Sequence, residues 1–186
     1  YTRFYVEAGQ KYKGVDYTIE SDWSSAAAIM VAAAIAGEVT IRNISMLSRQ
    51  ADTAICRALE RAGAAIIIEE SSITVSHREL EAFDFDATHC PDLFPAIVAL
   101  AAASKGVSVI KGISRLRGKE SDRGEVLREE YEKLGIDIEL DYDEDVMRIV
   151  GGTPHAADVD SHDDHRIAMS LAITALRLDT KIEIRG

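Results

Sequence analysis

At 186 residues, 47% hydrophobic and with a formal charge of -11, the chain has enough apolar material for one good-sized core or two small domains and falls in the ordinary soluble class. That charge argues against a nucleic-acid partner or an anionic membrane surface, and the most apolar stretch, 26–36, falls short of the ~18 residues a membrane span needs. Two cysteines without paired spacing, Cys56 and Cys90, indicate neither a disulfide framework nor a zinc site, which fits a reducing, cytoplasmic setting. The sequence opens at Tyr1 without Met or a signal sequence and reads as cut from a longer polypeptide.

A short strand is expected over 17–20. Ser21-Asp22-Trp23-Ser24-Ser25 follows, with hydroxyls and a carboxylate able to cap an Ala-rich helix that closes near Gly37; Trp23 reads as a packing residue. A strand over 39–41 leads to a helix over 52–62, which carries Ile55, Leu59 and Ala62 on one stripe and ends at Gly63. Strands over 65–68 and 73–75 then flank Ser71-Ser72.

The order β-α-β-α-β-β now returns: strand 83–86, helix 92–105, strand 107–110, helix 120–134 and a hairpin over 136–150. A third copy begins with strand 159–161, helix 164–178 and strand 181–184, without a second helix or hairpin. Gly37 recurs as Gly106 and Gly63 as Gly135, so the period is roughly 70 residues and the units span about 15–80, 81–152 and 153–186. The first helix of each unit, 26–36, 96–103 and 167–176, is apolar almost all round and belongs inside. An α/β (α+β) protein with three buried helices ringed by sheet is the expected architecture.

Charge is concentrated at the expected helix starts: Pro91-Asp92, Lys119-Glu120-Ser121-Asp122-Arg123 with Arg115 and Arg117 upstream, and His162-Asp163-Asp164-His165-Arg166. Unpaired N–H groups and the macrodipole attract phosphate and carboxylate to such places, and Arg adds a two-toothed grip. Asp92 and Glu120 are acid–base candidates near cations, and His165 titrates most readily near neutrality. Plainer readings stand beside these: Asp92 as a helix cap behind Pro91, and Lys119 to Arg123 as a solvated first turn. His165 and Arg166 precede a nearly all-apolar helix, where a merely solvated role fits poorly. Gly151-Gly152 reads as a turn, and His77 and His89 lack any metal-ligand spacing.

Leu116-Arg117-Gly118-Lys119-Glu120-Ser121-Asp122-Arg123 and Asp164-His165-Arg166-Ile167-Ala168-Met169 resemble the two signature segments of the EPSP synthases, the 3-phosphoshikimate 1-carboxyvinyltransferases of the enolpyruvyl transferase family. Asp22-Trp23-Ser24-Ser25-Ala26-Ala27 and Pro91-Asp92 are similar to further family segments, and the likeness runs from about Gly9 to the end. The resemblance implies a two-lobed fold, each lobe an inside-out α/β barrel of three such units. Residues 1–14 would then be an inter-lobe segment and 15–186 the C-terminal lobe. It further implies a cytoplasmic transferase of aromatic amino acid biosynthesis that moves the enolpyruvyl group of phosphoenolpyruvate to the 5-hydroxyl of shikimate 3-phosphate and releases phosphate.

No metal or organic cofactor is implied. The implied partners are the two substrates and an N-terminal lobe of the same polypeptide, with the complete enzyme a monomer and this lobe inactive alone. By the same likeness Asp92 would be the base at the 5-hydroxyl, and Lys119 would contact shikimate 3-phosphate. Glu120 would move the proton at the phosphoenolpyruvate methylene, Arg123 and Arg166 would hold the phosphoenolpyruvate anion, and His165 would position or polarise the site. Arg115 stands where many members have a substrate-contacting Asn, so that contact is not carried over. UDP-N-acetylglucosamine enolpyruvyl transferase shares the chemistry, but its segments read Asp-Leu-Arg and Glu-Asn-Arg. A non-catalytic module on the same repeats is the alternative of a different class.

Overall fold

Asp22 starts the first helix by accepting the N–H groups of Ser24 and Ser25, and the Ala-rich run behind it carries α1, Trp23–Ala36, to Gly37. The structure, a computed structural model, describes residues 3–186; the first two residues of the expected inter-lobe segment lie outside the described residues. β1 (Glu38–Arg42) follows, then a 3-10 turn at Ala51–Ala54, α2 (Ile55–Arg61), β2 (Ala65–Ile68) and β3 (Ser72–Ser76). β3 pairs antiparallel with β1 on one side and β2 on the other.

The second unit has β4 (Asp84–Asp86), a 3-10 turn at Pro91–Leu93, α3 (Phe94–Ala103), β5 (Val107–Lys111), α4 (Arg123–Lys133), β6 (Ile138–Asp141) and β7 (Val146–Val150), in a sheet of order β4-β5-β7-β6. The third has β8 (Asp158–Asp160), α5 (His165–Ala175) and β9 (Glu183–Arg185). Gly63 and Gly135 close α2 and α4 with the same left-handed backbone, φ +85° and +79°, as equivalent stops in a repeat should. No turn is assigned at Gly151-Gly152, where one was expected; glycine has a steric reason there, since a Cβ on Gly151 would lie 1.6 Å from the Ser104 carbonyl oxygen at the end of α3.

Three further expectations are corrected. No strand forms over 17–20. In the later units the opening strand pairs parallel with the strand after the buried helix, β4 with β5 and β8 with β9, so the first unit's partner would be the free edge of β1. Tyr17 and Ile19 alternate correctly but remain exposed, and a strand with no buried face has nothing to hold it in register. The helices α1, α3 and α5 do pack together, yet only α3 has no exposed residue; Ile29 on α1 and Leu176 just past α5 remain half-exposed. The three sheets stay separate and do not join into a closed barrel among the described residues. No helix of the described residues is long and apolar enough to cross a membrane.

The three central helices run parallel. Ser24, Leu93, Pro95 and Arg166, from their starts, line one cleft, while Ile35, Ala103 and Arg177, from their ends, line another hollow with His77, Arg78 and Lys105. Positive helix ends therefore converge at the first place, and basic side chains gather over the negative ends at the second, where Arg177 Nη1 donates to the Ala102 carbonyl at 2.9 Å.

Candidate active site

Asp22, Asp92 and Asp164 occupy the same place in three units, but they do different things. Asp22 and Asp164 cap α1 and α5 through backbone N–H groups. Asp92 makes no capping bond; its carboxylate is turned sideways, where Oδ1 accepts from Lys119 Nζ at 3.1 Å and Arg123 Nη1 at 2.8 Å. The plain helix-cap reading of Asp92 therefore does not describe this geometry. Partial burial pushes the Asp92 carboxyl up, but the bonds from Lys119 and Arg123 and the charge of Arg166 outweigh it and hold the carboxyl below its ordinary value.

Arg123, the first residue of α4, is wholly buried at 0% exposure, so the solvated-turn reading fails for it. Its guanidinium bridges three carboxylates: Nε to Asp164 Oδ2 at 2.7 Å, Nη1 to Asp92, and Nη2 to Glu120 Oε2 at 2.5 Å with a longer bond to Asp164 Oδ1 at 3.3 Å. Asp164 is equally buried and also accepts the Ser121 hydroxyl at 3.2 Å and the Arg166 N–H at 3.0 Å. Burial raises its carboxyl, and Arg123 with the two other donors brings the net shift below 3.8. This fork ties the second unit to the third.

Arg166, in the first turn of α5, reaches across to Asp92: Nη1 donates to its carbonyl at 3.4 Å and Nη2 lies 3.9 Å from Oδ2. Glu120 and His165 are exposed at the rim, and Lys119 is partly so. The His165 ring makes no hydrogen bond among the described residues. Thus Asp92, Lys119, Glu120, Arg123 and Arg166 form one connected cluster over the converged helix starts, and His165 stands at its edge. Arg115 is exposed, while Arg117 lies over the Tyr142 ring at 4.5 Å from its centroid.

Four residues of this cluster had not been assigned a site role from sequence. Asp164 and Ser121 lie inside the recognised segments, where their neighbours drew the reading. Ser24 reads from sequence only as part of a cap, and its hydroxyl donates to the buried carboxylate of Asp52. Asp52 gave no distinguishing signal, because an acid at a helix start is ordinary. Burial pushes its carboxyl above 3.8, with Asp92 and Asp22 adding and Ser24 and Arg166 opposing.

Chemically, one partly accessible guanidinium and one ammonium, both able to receive an anion, stand beside an ionised carboxylate and a second, more exposed one. Repeated α/β units with parallel central helices, and such groups gathered at the starts of α3, α4 and α5, define an enolpyruvyl transferase fold. An EPSP synthase from Acinetobacter baumannii superposes with a TM-score of 0.83 at 30% identity, covering 96% of this chain and 44% of that one. The enolpyruvyl transferase NikO from Streptomyces tendae matches in fold alone, with a TM-score of 0.66 at 20% identity over 92% of this chain and 40% of its own.

The chain belongs to the EPSP synthase (3-phosphoshikimate 1-carboxyvinyltransferase) family, whose profile matches residues 1–186. Among curated relatives, the 3-phosphoshikimate 1-carboxyvinyltransferases of Brachyspira hyodysenteriae and Methanosphaera stadtmanae are 40% and 38% identical, each over 96% of this chain. It spans less than half the length of those relatives, 43% and 41%.

Proposed function

We propose that this chain is one lobe of an enzyme that transfers the enolpyruvyl group of phosphoenolpyruvate to the 5-hydroxyl of shikimate 3-phosphate, with release of phosphate. The observation that carries this reading is the convergence of Lys119, Arg123 and Arg166 on Asp92 at three helix starts. Protonation of the phosphoenolpyruvate methylene to a methyl group creates a cationic carbon, which the hydroxyl attacks as it gives its proton to a base; the tetrahedral adduct then loses phosphate together with one proton of that methyl group, which restores the C=C bond. An acid and a base must therefore face each other across anions held by fixed cations.

Asp92, kept ionised by its cations, serves as the base at the hydroxyl, and Lys119 contacts shikimate 3-phosphate. Glu120, more exposed and free to swing from Arg123, carries the methylene proton. Arg166 holds the phosphoenolpyruvate anion, and Arg123 joins it as Glu120 turns to the substrate. His165, unengaged at the rim, positions the reacting groups alongside Glu120. An opposite lobe of the same polypeptide completes the clamp, and the whole works as a monomer in the cytoplasm.

Phosphate release from shikimate 3-phosphate and phosphoenolpyruvate tests the reading. The complete two-lobed protein should turn over, Asp92→Asn within it should lose about 10²–10⁴-fold in kcat, and this chain alone should be inactive. Turnover by the chain alone, or full activity of Asp92→Asn, would contradict the assignment.

A further inference from the structure

The Arg123–Asp164 fork depends on a loop that is held from behind the cleft. After β8 the chain passes through Ser161, His162 and Asp163 before Asp164 caps α5, and both His162 and Asp163 have left-handed backbone, φ +52° and +58°. Non-glycine residues resist that conformation, and two in succession persist only where the surroundings impose it. Within the loop, the His162 N–H bonds Asp160 Oδ1 at 2.7 Å and the Asp164 N–H bonds the Ser161 carbonyl at 3.0 Å.

From outside, the Ser161 N–H donates to the Arg185 carbonyl of β9 at 2.7 Å, and the contacts from α4 meet on Glu130. It lies on α4 seven residues beyond Arg123, roughly 10 Å along the axis, and is 1% exposed. Its Oε2 accepts the Asp160 N–H at 2.9 Å and its Oε1 accepts His162 Nε2 at 2.9 Å, while Lys133 Nζ spans both oxygens at 2.8 and 2.7 Å. A carboxylate with an ionised partner can only accept, so the His162 proton sits on Nε2. Buried charge in mid-helix is a poor stabiliser beside an apolar side chain of equal size. What Glu130 supplies is a pair of acceptors that fixes both ends of the strained turn, on the same rigid helix that presents Arg123.

We propose that Glu130 is a positioning residue for the anion site: it holds the 160–163 loop in phase with α4 so that Asp164 meets Arg123 as a fork and leaves Nη1 and Nη2 aimed at Asp92 and Glu120. In its choice of ligand, this rests on reading the cleft as the phosphoenolpyruvate site.

The test uses the complete two-lobed protein and its Glu130→Gln variant, in which an NH₂ group replaces one required acceptor at nearly constant volume. Solvent exchange of the Arg123 Nε–H, followed by NMR, should become about tenfold faster while the amides of α3 keep their protection, since the change is local to one clamp. Calorimetric affinity for phosphoenolpyruvate should fall several-fold in Glu130→Gln but by less than roughly twofold when the same change is added to Asp164→Asn, because coupled sites lose one interaction once.

Should Glu130→Gln not fold, His162→Ala removes the partly exposed anchor of the same loop and should accelerate Arg123 exchange to a smaller degree. Unchanged Arg123 exchange, or losses that simply add, would overturn the inference. A wild-type two-lobed protein that binds no phosphoenolpyruvate would count against the proposed function, and the exchange measurement would still decide the role of Glu130.

Discussion

Asp52 and Asp164 are both buried near the same cleft, and their surroundings drive them in opposite directions. Asp164 meets a guanidinium and two further donors, so its folded pKa lies below 3.8. The fold then binds fewer protons than the unfolded chain, and this contribution is complete above about pH 4 and lost as pH falls through the depressed value. Asp164→Ala, which leaves Arg123 buried with its main counter-charge gone, should cost about 3–5 kcal/mol in urea unfolding.

For Asp52, burial dominates and the folded pKa is raised. The fold holds that proton longer than the unfolded chain, so its contribution is greatest below 3.8 and declines as pH rises through the raised value. Asp52→Asn still accepts the Ser24 hydroxyl and should melt no lower than wild type at pH 7, with its advantage growing as pH is raised from 3 to 7. A lower Tm for Asp52→Asn at pH 7 would show that its charge is needed. The contrast also explains what was legible. Lys119, Arg123 and Arg166 stood out because cations crowded at helix starts ask for a reason, whereas the burial of Asp52 depends on Ser24, a partner distant in sequence.

Between elements, a hydroxyl relay joins α4, α5 and α3. Ser170 Oγ donates to the Pro95 carbonyl at 2.6 Å and Thr174 Oγ1 to the Ser170 carbonyl at 3.1 Å, so both have used their protons. The Tyr131 hydroxyl, 2.7 Å from Ser170 Oγ and 2.8 Å from Thr174 Oγ1, therefore shares its one proton between these two acceptors. Burial pushes its pKa up to about 12, and it stays protonated.

Tyr131→Phe leaves every remaining donor paired and should cost about 1 kcal/mol, while Tyr131→Ala opens a cavity and should cost about 3–5 kcal/mol. Equal costs for the two would mean that the relay, not the ring, holds the helices. The elements themselves were legible to within a few residues wherever an apolar run met a cap or a closing glycine, as at Asp22, Gly63 and Gly135. The strand over 17–20 shows the limit: Tyr17-Thr18-Ile19 has the alternation of β4 and β8 but lacks their pairing with the next strand. Sequence periodicity states what could be buried, and only a neighbour decides whether it is.

At the scale of the molecule, the helix triangle is covered on two sides. The outer helix α2 packs against α1 and α3, and α4 packs against α3 and α5. On the third side no described helix intervenes, and Ala28, Ile29 and Ala32 of α1 face Met169, Ala172 and Leu176 across a wholly apolar groove that adjoins the cleft at Ala28 and Met169. An apolar groove open to water can take up a small apolar molecule. The native chain should therefore enhance the emission of an environment-sensitive apolar dye at pH 7. Ile29→Lys combined with Leu176→Lys should remove most of that signal while changing stability by no more than about 0.5 kcal/mol per site, since both side chains are already half in water. Emission that survives the double change would move the apolar surface elsewhere, to the exposed Phe4-Tyr5-Val6 run. Loss of emission together with a large drop in Tm would instead mean that these two side chains support the core, and that the third side is more tightly closed than the helix packing indicates.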